Sequence, residues 1–131
     1  MIEIRKTQVF EEWFLSLRDR QARLRIQARI DRLMFANPGQ HRMLTRGVCE
    51  MKIDHGPGYR VYFLKHREAW VLLLCGGDKT SQRADIKAAL AMELFGRSGT
   101  GLLPLMADGA EGIDKLQKYA RSLGRTMSTE D

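Results

Sequence analysis

Cysteine and proline are scarce in this chain, with two and three residues among 131. Cys49 and Cys75 stand apart in strand-like runs, and two thiols build neither a disulfide framework nor a four-thiolate zinc site. Buried, reduced thiols are expected. Long apolar runs are also lacking. The longest, Ala69 to Cys75, falls far short of the ~20 residues that a spanning helix needs. Met1-Ile2-Glu3-Ile4 has no signal-peptide organisation, so a cytoplasmic protein with no membrane segment is expected. His41, His55 and His66 lack the spacing that aims two imidazoles at one ion, and neither a metal nor a cofactor is expected. P-loop, dinucleotide fingerprint and nucleophile elbow are missing, because Gly56-Pro57-Gly58 and Gly76-Gly77 lack the residues that complete such motifs.

What the chain does have is enough apolar material, 44% against 29% charged, for one globular core. Its charge is unevenly placed. Residues 1–95 hold 17 Lys and Arg against 11 Asp and Glu, whereas residues 96–131 hold five of each. The whole excess of six positive charges therefore belongs to the first part. Arg42, Arg46, Lys52, Arg60, Lys65 and Arg67 face only Glu50 and Asp54 within residues 37–67. A polyanion is the natural partner of such a surface.

Periodicity divides the chain into elements. Ile2 to Arg5 is a short strand candidate, and Thr7 can cap a helix carrying Phe10, Trp13, Phe14 and Leu17 at helical spacing. Asp19 can cap a second helix with Ala22, Ile26, Ile30, Leu33 and Met34 on one stripe, stopping at Asn37-Pro38-Gly39. Its opposite side presents Arg20, Arg23, Arg25, Arg29 and Arg32, read here as a solvated face. Three strands follow, Val48 to Asp54, Tyr59 to Lys65 and Trp70 to Cys75, as an antiparallel meander. Pairing core with core sets Met51 opposite Phe63 and Ile53 opposite Val61, and puts Lys52 opposite Tyr62 and Asp54 opposite Arg60 on the other face. Gly76-Gly77 is expected to let the chain leave the sheet, and Thr80 or Ser81 to cap a last helix ending near Phe95-Gly96. The predicted class is α+β: two N-terminal helices on a curved antiparallel sheet, a short helix after the last strand, and a C-terminal extension. Residues 1–95 form the domain. Residues 96–131 are a glycine-broken, flexible extension, with Ile113, Leu116, Ala120 and Leu123 giving a short amphipathic stretch.

The residues able to carry chemistry are Lys52, His55, Arg60, Tyr62 and Lys79. RNA cleavage without a metal needs a base for the 2′-hydroxyl, cations for the transition state and a donor for the leaving oxygen. Arg60 suits bidentate contact with phosphate oxygens, and Lys52 and Lys79 add charge. His55 titrates near neutrality as base or acid, and Tyr62 can stack on a splayed base or donate a proton. Each also has an ordinary alternative: an Asp54–Arg60 ion pair, a solvated Lys52, a turn histidine, a rim tyrosine. Their convergence on one sheet face is what raises the functional possibility.

Two segments together, Glu50-Met51-Lys52-Ile53-Asp54-His55-Gly56-Pro57-Gly58-Tyr59-Arg60-Val61-Tyr62-Phe63 and Leu72-Leu73-Leu74-Cys75-Gly76-Gly77-Asp78-Lys79-Thr80-Ser81-Gln82 with Asp85-Ile86, resemble the addiction-module killer proteins, the HigB-like branch of the RelE/ParE toxin superfamily. The likeness covers about residues 1–95. It implies a toxin held in check by a helix-turn-helix antitoxin. It also implies a metal-independent endonuclease that cuts mRNA on the ribosome, or, as in ParE-like members, an inhibitor of DNA gyrase; the extension past the family's usual end adds a third alternative, an inactive remnant. Through the same resemblance Arg60 corresponds to the sheet arginine used on phosphate, and Lys52 and Lys79 to basic positions of the site.

Overall fold

A computed structural model describes residues 1–98, with side chains through Leu94. The expectations for the extension beyond it lie outside the described residues. In chain order the elements are β1 (Glu3–Lys6), α1 (Gln8–Ser16), α2 (Arg20–Leu33), β2 (His41–Met43), β3 (Val48–Ile53), β4 (Tyr59–His66), β5 (Trp70–Gly77), a 3-10 turn (Lys79–Ser81) and α3 (Gln82–Ser98). This is a mixed α+β arrangement. The five strands run β1-β5-β4-β3-β2, antiparallel except where β1 lies parallel to β5.

Local chemistry accounts for most boundaries. Thr7 Oγ1 accepts from the Phe10 amide at 3.0 Å and donates to the Leu74 carbonyl at 2.6 Å, so one buried hydroxyl both caps α1 and fixes it to β5. Asp19 accepts from the amides of Gln21 and Ala22 to start α2. Asp78, rather than Thr80 or Ser81, caps the turn that opens α3. That last helix, expected to be short and to end near Phe95-Gly96, instead runs 17 residues to Ser98.

Two buried clusters lie on opposite sides of the sheet. One unites Phe10 and Trp13 of α1 and Ala22, Ile26, Ile30 and Leu33 of α2 with Met51, Ile53, Val61, Phe63, Val71 and Leu73. The other gathers Val48, Tyr62, Leu64, Trp70, Leu72, Leu74 and Cys75 around Ala89 and Met92 of α3. Alternation along the strands produces this division, and a bulge adjusts it. Tyr62 pairs with Cys75 and Phe63 with Leu73, leaving Leu74 as the extra residue of β5. Leu74 and Cys75 therefore join the same cluster, and the parity of the two glycines that follow is reset.

Four further expectations change. The β3–β4 register is Met51↔Val61, Lys52↔Arg60 and Ile53↔Tyr59, two residues from the predicted one. The turn is centred on Gly56 rather than Pro57, with both Gly56 and Gly58 at positive φ, and a shift of two preserves each residue's face. Asp54 consequently does not oppose Arg60. Secondly, His41–Met43 adds an edge strand too short to announce itself by alternation. Thirdly, Gly76 and Gly77 remain within β5. A Cβ on Gly76 would stand 2.3 Å from the Trp13 ring, and one on Gly77 1.7 Å from Asp85 Oδ2, so close packing rather than a turn demands glycine. Fourthly, Arg29 is not part of a solvated row. Its guanidinium donates to the carbonyls of Lys52 (2.7 Å), Pro38 (2.8 Å) and Gln40 (3.0 Å), tying α2 to the entry of β2.

Candidate functional site

The α3 side of the sheet is covered by helix along β5 and part of β4, and its hairpin end is left open. There a depression of about 410 Å³ is lined by Arg42, Glu50, Lys52, Arg60 and Gln82, among others. Three strands supply it in register. Arg42 of β2 lies opposite Glu50 of β3, Glu50 opposite Tyr62 of β4, and Lys52 opposite Arg60. Alternation puts these residues on one face, and Gln82 enters as the first residue of α3.

Arg60 is 7% exposed. Its Nη1 donates to the Gly58 carbonyl at 2.6 Å, while Nε is buried without a hydrogen-bond partner. Among the described residues no carboxylate is paired with it. Lys52 directly across the ladder is also cationic, and like charges at opposed positions destabilise a sheet. Gly58 makes this geometry possible. At φ +81° it turns the hairpin, and a Cβ there would lie 3.0 Å from Arg60 Nη1.

Glu50 is the acid of the depression, and it is already committed. Arg42 Nε donates to Oε1 at 2.7 Å, and the Tyr62 hydroxyl (3.0 Å) and Gln82 Nε2 (2.8 Å) donate to Oε2. Burial alone would push this carboxyl up, but hydrogen bonds from Arg42, Gln82 and Tyr62 outweigh it and hold Glu50 below the ordinary carboxylate range. Burial, with the charge of Glu50 and its hydrogen bond, drives the Tyr62 phenol strongly upward.

The five residues singled out from sequence are therefore only partly brought together. Lys52 and Arg60 meet as cross-strand neighbours. Lys79 stands beside the same hairpin, its amide donating to the Pro57 carbonyl and its Cβ next to Gly58. Tyr62 shares the face but is fully buried, its hydroxyl given to Glu50, so it offers no ring for stacking and no free donor. His55 turns toward α2 instead, its Nε2 lying 3.1 Å from Asp19 Oδ2 at the helix cap. Sequence reasoning missed Arg42, Glu50 and Gln82. Glu50 shares strand parity with Lys52, a signal that was there to be used, whereas Arg42 and Gln82 arrive through an unforeseen strand and a helix start.

Among the described residues no group of three or more His, Cys, Asp or Glu is placed to hold a metal ion, and no helix is long and apolar enough to cross a membrane. Cys49 and Cys75 are both buried. Over 95 residues the chain is 45% identical to an uncharacterized protein of Haemophilus influenzae (strain Rd), an overlap covering 71% of this chain and 96% of that protein. No family model and no solved structure matches.

Proposed function

We propose that this chain, which belongs to the same family as the Haemophilus influenzae protein, is the toxin of a toxin–antitoxin pair with a RelE/ParE-like fold, acting as a metal-independent endonuclease on ribosome-bound mRNA. The observation carrying this is the Lys52–Arg60 pair: two cations face each other across a ladder, one of them nearly buried and lacking a carboxylate. Such an arrangement costs stability in the free protein and is relieved when an anion enters. A phosphodiester fits, since its non-bridging oxygens accept from the guanidinium and its developing negative charge is stabilised by cations already in place. Lys79 at the hairpin edge adds to that field.

Arg60→Ala should abolish growth arrest on induction while the purified variant keeps its far-ultraviolet circular dichroism, and primer extension on cellular transcripts should lose codon-positioned cuts. A folded Arg60→Ala protein that remains fully toxic sinks the assignment. The gyrase alternative draws on α2, but Arg29 is engaged in structure and Arg23 donates to the Leu17 carbonyl, leaving a sparser exposed row of Arg20, Arg25 and Arg32. Inhibited supercoiling with intact mRNA would reverse the order. A toxin implies a neutralising partner. Co-purification of a small helix-turn-helix protein encoded alongside is the check on that part.

A further inference from the structure

We infer that Arg42 is a second phosphate-contacting residue, so that the depression engages a single-stranded polynucleotide through two separate phosphates rather than a lone phosphoryl group. Arg42 spends only Nε on Glu50, which leaves the Nη1/Nη2 edge as an open fork among the described residues. Glu50 is itself buried and bound by Tyr62 and Gln82, so it anchors the guanidinium rigidly, and a pre-oriented fork is what bidentate contact with phosphate oxygens requires. The side chain of Arg42 is 58% exposed while that of Glu50 is 5%. The cation is therefore offered outward and its anchor is shielded.

Two phosphates are implied by the directions in which the guanidinium groups are held. Arg42 lies two strands from Arg60 and two residues along, about 12 Å between Cα atoms from ordinary strand spacing and rise. Arg60 is drawn further toward the hairpin by the Gly58 carbonyl, whereas Arg42 is held over Glu50. Each guanidinium is held by its own acceptor, on a different strand. Lys52 stands between them on β3. A backbone crossing the strands from β4 toward β2 would meet Arg60, Lys52 and Arg42 in turn, and the edge position of β2 leaves that track open at its end.

This depends on the depression being a nucleic-acid site as proposed above, and the test separates the two. Fluorescence anisotropy with a short labelled single-stranded RNA, titrated across a salt series, gives the slope of log affinity against log salt. Each phosphate contact contributes about 0.7 to that slope on a single strand. Arg42→Gln should lower it by about 0.7, equally for oligonucleotides of different base composition, and Arg60→Gln should lower it similarly. Because Arg42→Gln strands a buried carboxylate, the double variant Arg42→Gln/Glu50→Gln is measured as well. Its net charge equals that of the parent, and the same loss of slope is expected. An unchanged slope in the double variant, or a loss confined to particular base sequences, overturns the assignment. If Arg60→Gln leaves the slope unchanged too, the nucleic-acid site itself is overturned.

Discussion

Glu50 shows how one residue links stability to the site. Its folded pKa lies below the ordinary carboxylate value of 4.5, so its ionised form contributes stability that is complete above that value and is lost as pH falls through the depressed folded value. Tyr62 works in the opposite direction. With its folded pKa raised above 10.0, it contributes stability that is complete below 10.0 and lost as pH rises beyond it. Urea midpoints of the wild type should therefore fall at both extremes of pH, and Glu50→Gln should flatten the acid limb, checked by denaturation between pH 3 and 7. Gly77 makes a different demand. Its missing Cβ leaves room for Asp85 Oδ2, and Gly77→Ala should destabilise by about 1–3 kcal/mol or more through overpacking, read from the urea midpoint. The sequence announces both glycines yet conceals their purpose, because a Gly-Gly pair looks the same whether it turns a chain or admits a neighbouring ring. Parity alone put Lys52 and Arg60 on one face, but the predicted register set Arg60 against Asp54, and only the observed one makes the two cations neighbours. The burial of Tyr62 was not, since an aromatic on a polar face carries no mark of the helix that will cover it.

At the level of elements, the placement of β2 depends on α2. Two carbonyls just before β2, of Pro38 and Gln40, and one on β3, of Lys52, accept from the single guanidinium of Arg29, and Gly39, at φ +68°, leaves the space in which that guanidinium lies. Arg29→Ala should cost about 1–3 kcal/mol by removing the donor to the Pro38 and Lys52 carbonyls, while the Gln40 carbonyl keeps the Lys52 amide. It should also raise amide exchange in residues 39–43, which hydrogen-exchange mass spectrometry would detect. Arg42 sits in that segment, so the site should loosen before the fold does. Helix caps at Thr7 and Asp19 and the apolar stripes of α1 and α2 could be read directly, because capping and periodicity are local properties. The β3–β4 register could not, because faces survive a slip of two and only the turn centre decides between the alternatives. A three-residue edge strand held by a distant arginine leaves no local signature at all.

For the whole molecule, residues between Ile2 and Met92 supply both core clusters seen among the described residues, and the matched region makes up 96% of the Haemophilus influenzae relative. Removing residues 99–131 should leave the melting temperature essentially unchanged, measured by calorimetry, and a large drop would show that those residues belong to the core. The α+β class followed from the sequence, but one parallel contact did not: β1 lies against β5, with Glu3 beside Trp70. That contact sets the order of assembly during synthesis. At about 5–20 residues per second, the first strand waits roughly 3–13 seconds for its partner to be made, and closing so long a loop is slow compared with forming a helix. In the interval Ile2 and Ile4 have no sheet to join, so a strand made long before β5 is among the last to be housed.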